Sequence, residues 1–140
     1  MNNDTIILYT DGAYSGLRNQ GGWAFYIPKY KLKVCNNQKE TTNNQMELMA
    51  VIQALNFIES SNLPETHIII YSDSGYVIGG MTGKYNICTN QNLWQEINNI
   101  KSKLCNRTIE IQYIKAHTGE RNGNYIVDQL ANLMSQINNE

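Results

Sequence analysis

The amino-acid sequence predicts a single α/β domain, and three observations carry that expectation. Apolar or β-favouring runs of strand length occur at residues 5–10, 67–71 and 108–115, separated by segments whose apolar residues recur at helical intervals. Two further β-favouring runs, 21–27 and 31–35, flank Pro28 as the arms of an antiparallel hairpin would. The 140 residues are 41% hydrophobic, enough to bury the core of one domain, and no linker or repeat divides residues 1–140.

In chain order, Thr5-Ile6-Ile7-Leu8-Tyr9-Thr10 is apolar or β-favouring on both alternating faces, as a strand covered on both sides should be, and it places Asp11 at the strand's exit. Residues 12–16 carry two glycines and read as a turn. The arm at 31–35 alternates polar and apolar, which suits a half-exposed strand. Thr41-Thr42-Asn43-Asn44 is rich in capping residues and introduces a helix over about residues 45–60. At 100° per residue, Val51, Ala54, Leu55 and Ile58 fall within about 80° of Glu47, so that carboxylate belongs on the buried face. It reads either as a charge near the helix dipole or as the ligand of a cation.

His67-Ile68-Ile69-Ile70-Tyr71 is apolar throughout, and Asp73 after it reads as a cap of the short helix that Gly79-Gly80 would end. A strand-helix-strand order favours a right-handed parallel crossover, which brings the ends of the strands at 5–10 and 67–71 to one sheet edge, where α/β proteins bind ligands. A loop over 81–91 precedes a helix over about 92–104, in which Trp94 is expected in the core. The strand at 108–115 leads to a polar loop with His117, whose ordinary pKa suits proton transfer near neutrality. The last helix, about 124–136, has Ile126, Leu130, Leu133 and Ile137 as its apolar face; Asp128 lies opposite and reads as solvated.

No apolar run approaches the roughly 18 residues of a membrane helix, and Met1-Asn2-Asn3-Asp4 lacks the features of a signal peptide; the expectation is a soluble, cytoplasmic protein. Cys35, Cys88 and Cys105 are too scattered for paired zinc ligands and read as reduced thiols. The net charge of −1 weighs against a nucleic-acid partner. Two bound divalent ions would move the formal balance from −1 to about +3, however, so charge alone does not exclude one.

Taken in order, Thr10-Asp11-Gly12, residues 41–48, Ser72-Asp73-Ser74, residues 115–119 and the stretch from Gly123-Asn124 to Asp128 resemble the type 1 ribonuclease H family over nearly the whole chain. The resemblance implies the ribonuclease H-like fold, a five-stranded mixed sheet with helices on both faces. It further implies an endonuclease that hydrolyses the RNA strand of RNA·DNA hybrids, leaving 5′-phosphate and 3′-hydroxyl ends. Asp11, Glu47, Asp73 and Asp128 match the family's ligands for two Mg²⁺ ions, for which Mn²⁺ would substitute, so the resemblance reverses the solvated reading of Asp128. His117 matches a mobile proton shuttle. Gly12, Asn43 and Asn44 match contacts to the RNA strand or bases, Thr42 and Asn90 a DNA-phosphate pocket, and Tyr76 an aromatic against the DNA sugar.

There are departures from the family pattern. The basic protrusion of some members is missing, since residues 79–92 carry only Lys84, which stands where a DNA-stacking tryptophan is common, with Tyr85 adjacent. Glu40 stands near a phosphate-binding arginine, Gly75 replaces a longer RNA-contacting residue, and Tyr125 replaces a glutamate. Together they imply weak, salt-sensitive hybrid binding by a protrusion-lacking member, similar to the domains attached to retroviral reverse transcriptases. A monomer without an obligate protein partner is expected. The competing readings are a DNA-cutting or exonucleolytic relative and a non-catalytic hybrid-binding module.

Overall fold

The structure, a computed structural model, describes residues 3–116, 118–119 and 122–138. Five strands form one mixed sheet: β1 (Thr5–Ser15), β2 (Gln20–Ile27), β3 (Leu32–Lys39), β4 (His67–Ser72) and β5 (Thr108–Tyr113). Four helices, α1 (Asn43–Ser60), α2 (Gly75–Met81), α3 (Gln91–Lys103) and α4 (Gly123–Gln136), complete it. The sheet order is β3-β2-β1-β4-β5, with antiparallel pairing on the β3 side of β1 and parallel pairing on the β4 side. This is the ribonuclease H-like arrangement of a mixed five-stranded sheet. Among the described residues no helix is long and apolar enough to cross a membrane.

The strand at the centre is longer than its sequence indicates. Residues 12–15 do not turn but stay in β1, where Gly12 and Ala13 pair with Trp23 and Gly22; the turn comes at residues 16–19. Cross-strand pairing therefore overrides the local turn composition of Gly12-Ala13. β1 works in two halves. Thr5 to Tyr9 pair in parallel with β4, whereas Tyr9 to Ser15 pair with β2. β3 likewise runs beyond 35 to Lys39, because a sheet edge tolerates the polar side chains of Asn36, Asn37 and Gln38. β5 stops at Tyr113, two residues early.

Side-chain alternation splits the core. Ile6, Leu8, Trp23, Phe25, Ile27, Ile68 and Ile70 point to the face covered by α1 and α3, meeting Met46, Leu55, Ile58, Trp94 and Ile97. Each fully buried aliphatic there contributes about 1.5–3 kcal/mol. Trp94 is in this core, as expected. On the opposite face a smaller cluster, Ala13, Ala24, Val127 and Ala131, lies under α4. α2 continues through Gly79 and Gly80 to Met81, with the rings of Tyr85 and Trp94 packed across the two glycines.

α4 buries a different face from the one its large residues mark. Asn124, Val127, Ala131 and Ser135 are buried, while Leu133 is 53% exposed. Small residues win because the helix lies almost flush on β2: a Cβ on Gly22 would stand 2.2 Å from the Ala131 carbonyl oxygen and 2.7 Å from the Ser135 nitrogen. Gln20, fully buried, fixes the end of α4 by donating from Nε2 to the carbonyls of Met134 and Ile137, both at 2.8 Å. Cys35, Cys88 and Cys105 are free thiols, and the last two are exposed.

Candidate active site

The β1–β4 register builds the site. Tyr9 pairs with Tyr71, so two residues further on Asp11 falls beside Asp73, just where β4 ends. Ser74, not Asp73, caps α2, its hydroxyl accepting from the Val77 N–H at 3.1 Å. The alternative reading of Asp73 as the cap is thereby set aside.

Glu47 arrives from the other direction. Thr42 caps α1 by accepting from the Gln45 N–H at 3.1 Å, which starts the helix so that Glu47 points inward. Gly12 admits the helix: a Cβ there would lie 2.3 Å from the Glu47 nitrogen and 2.4 Å from the Met46 carbonyl carbon. With no side chain in the way, the Gly12 N–H donates both to Asp11 Oδ1 at 2.9 Å and to Glu47 Oε1 at 2.7 Å. Ligand oxygens of Asp11, Glu47 and Asp73 lie within 4.8 Å of one another.

Asp128 completes the rim. It lines the same open cavity, of about 370 Å³, as Asp11, Glu47 and Asp73. On a helix wheel it sits about 55° from the centre of the face that α4 buries, though about 170° from the centre of Ile126, Leu130, Leu133 and Ile137. The solvated reading of Asp128 thus fails for the same reason that the apolar-face assignment fails. Asn132, one turn later, donates to Asp128 Oδ1 at 3.2 Å and to its carbonyl at 2.8 Å.

Electrostatically the site is short of positive charge. Asp11 and Glu47 are 4% and 7% exposed, and no described Lys or Arg forms an ion pair with either. Burial, then the neighbouring Glu47 and Asp73 carboxylates, push Asp11 up to about 10. Burial and Asp73 raise Glu47 to about 8, and its hydrogen bond with Asp11 works in the opposite direction. Both shifts run upward, so the metal-free pair holds protons near neutral pH that the unfolded chain would release. Hard, crowded, anionic oxygens with no internal cation are the donor set that Mg²⁺ or Mn²⁺ requires, so the residues fit such ions.

The expected substrate-contacting residues form two groups. Gly12 and Asn43 border the acidic cavity, and Asn44 is exposed beside Asn43 at the start of α1. Thr42, Asn90 and Tyr76 lie to one side, linked through Gln45: Gln45 Nε2 donates to Asn90 Oδ1 at 3.2 Å, and Asn90 Nδ2 to the Tyr76 hydroxyl at 3.0 Å. His117 lies outside the described residues. Tyr14, Ala116 and Asn132 also line the cavity and were not foreseen. Tyr14 was hidden by the turn reading of residues 12–16, while the four-residue spacing of Asp128 and Asn132 was a usable signal. Gly75 stands in open space, where a side chain would touch nothing.

The strand order, together with an acidic cavity where β1 and β4 diverge, defines a ribonuclease H-like α/β protein. The family described as RNase H matches residues 3–136. Proteins named ribonuclease H are similar along most of the chain. That of Wolbachia pipientis wMel is 35% identical, covering 86% of this chain and 89% of the relative. That of Ruthia magnifica is 34% identical, covering 91% and 93%. The one from Syntrophomonas wolfei is 36% identical, covering 90% and 92%. The chain belongs to the ribonuclease H family, and with it to the nucleases.

Proposed function

We propose that the protein is an endonuclease that hydrolyses the RNA strand of RNA·DNA hybrids by a two-metal-ion mechanism, leaving 5′-phosphate and 3′-hydroxyl ends. The observation that carries this is the convergence of Asp11, Glu47 and Asp73 within 4.8 Å, in a cavity that Asp128 shares. Asp11, Glu47, Asp73 and Asp128 would hold the ions. When bound, a pair of Mg²⁺ ions lowers the pKa of the attacking water and neutralises charge on the leaving 3′ oxygen.

The chain's own residues supply the rest. Gly12 presents its N–H to two of the carboxylates and fixes their oxygens before any ligand arrives. Gly12, Asn43 and Asn44 would read the RNA strand from the minor groove, where 2′-hydroxyls are displayed. Thr42 and Asn90 would hold a phosphate of the DNA strand, and Tyr76 would lie against its sugar. His117 would carry a proton away from the site. Replacing His117 by Ala is therefore expected to lower kcat by about 10²-fold without abolishing cleavage; unchanged single-turnover and steady-state rates would remove it from the mechanism.

The test is a panel of end-labelled RNA·DNA hybrid, duplex RNA and duplex DNA with Mg²⁺ or Mn²⁺. Internal cuts confined to the RNA of the hybrid support the reading. Cutting of duplex DNA, or digestion from an end, would support the DNA-cutting or exonucleolytic alternative. Binding without cutting would make the protein a hybrid-binding module.

A further inference from the structure

We propose that Gln45 is a positioning residue that, together with Tyr76, clamps the amide of Asn90 in the orientation the DNA-phosphate pocket requires. This rests on the hybrid-cleaving function proposed above, in which Thr42 and Asn90 receive a phosphate of the DNA strand.

The direction of the hydrogen-bond chain follows from one group that can only donate and one that can only accept. The Tyr76 hydroxyl has one hydrogen. Trp94 Nε1 can only donate, and it lies 3.2 Å from the Tyr76 oxygen. The Thr89 carbonyl, at 3.3 Å, can only accept, so the Tyr76 hydrogen goes to it; the Thr89 hydroxyl at 2.9 Å serves in either direction. The Tyr76 oxygen is then left to accept from Asn90, and Nδ2 of Asn90 is the atom that faces it, at 3.0 Å. Asn90 Oδ1 consequently turns to Gln45 Nε2 at 3.2 Å. Gln45 Oε1 in turn accepts from the hydroxyl of Thr41, a buried residue, at 2.8 Å.

Asn90 behaves unusually for its place. It is the N-cap of α3, where an asparagine ordinarily accepts from the helix's first N–H groups, yet its side chain makes no cap bond and its backbone is left-handed, at φ 53°. Its amide is instead clamped at both ends, by Gln45 and by Tyr76. One Nδ2 hydrogen has no acceptor among the described residues. The Thr42 hydroxyl accepts from Gln45 N, and its own hydrogen is likewise unclaimed among them. Gln45 therefore connects two spare donors, the complement of phosphate oxygens, which only accept. Were the Asn90 amide to reverse, its oxygen would face the phosphate and repel it.

The experiment compares wild type with Gln45→Met, which keeps side-chain length and helix propensity but removes the amide. Steady-state cleavage is measured on a hybrid and on a set of hybrids carrying one neutral methylphosphonate at successive DNA-strand positions. The variant is expected to keep its thermal midpoint and its kcat to within about twofold, and to raise KM about tenfold. At one DNA position the methylphosphonate should harm wild type and leave the variant no worse. An unchanged KM, or a KM penalty that simply adds to that of every methylphosphonate, would overturn the proposal. A wild-type protein that cuts no hybrid would instead overturn the parent function, and the role of Gln45 with it.

Discussion

Replacing Asp11 by Asn is expected to reduce hybrid cleavage by at least about 10³-fold, the scale on which a reaction loses an electrostatic anchor, while making the metal-free protein more stable. Both effects have one cause. Asp11 is a nearly buried acid beside two other carboxylates, with no described cation paired to it. Its ordinary value of 3.8 is raised to about 10, and that of Glu47 from 4.5 to about 8. Between the ordinary and the raised values the native state binds more protons than the unfolded chain. Stability of the metal-free protein therefore falls as pH climbs from about 4 towards 8 and beyond. Asparagine resembles the protonated acid in shape but never charges, so the substitution removes the larger part of this slope. At pH 7 the gain is expected to be about 1–3 kcal/mol, because each tenfold change in proton affinity is worth about 1.4 kcal/mol and relaxation of the site returns part of it. Chemical denaturation at pH 5, 7 and 8.5 without divalent ions checks it. A variant less stable than wild type at every pH would show that Asp11 is held by structural bonds instead.

Gly12→Ala is expected to destabilise the fold by about 3 kcal/mol or more and to remove activity even where some protein remains folded. A methyl group there meets the backbone of α1, with the Glu47 nitrogen at 2.3 Å and the Met46 carbonyl carbon at 2.4 Å. No rotamer change relieves a backbone contact, so either α1 or β1 must move. Movement of α1 withdraws Glu47 and breaks the paired hydrogen bonds from the Gly12 N–H. Urea unfolding together with cleavage at low temperature separates the two losses. Wild-type stability would mean that the close approach of α1 to β1 is not what shapes the site.

The parts of this architecture legible from sequence were those that periodicity reports. The two-faced β-favouring run at 5–10, the continuous apolar run at 67–71 and the helical spacing around Glu47 led correctly to β1, β4 and an inward carboxylate on α1. Asp128 was not legible this way. Large residues dominate a hydrophobic pattern, whereas α4 buries Val127, Ala131 and Ser135 because Gly22 lets the helix sit against β2. Only the ordered family motifs placed Asp128 with the other acids. The extension of β1 through Gly12 and Ala13 was hidden for a related reason: small residues that permit close packing have the composition of a turn. The Gln45–Asn90–Tyr76 connection was beyond reach, since it joins the starts of α1, α2 and α3 through side-chain geometry alone.

The buried carboxylates are thus read as a divalent-metal site that stays part-protonated until the ions arrive. Calorimetric titration of the metal-free protein with Mg²⁺ at pH 7, in buffers of different ionisation enthalpy, puts that reading to its sharpest trial. Binding is expected to release protons, since those held by Asp11 and Glu47 must leave, and Asp11→Asn should reduce that release and eliminate cleavage. Binding with no buffer dependence, or wild-type Mg²⁺ binding by Asp11→Asn, would show that the carboxylates do not form such a site.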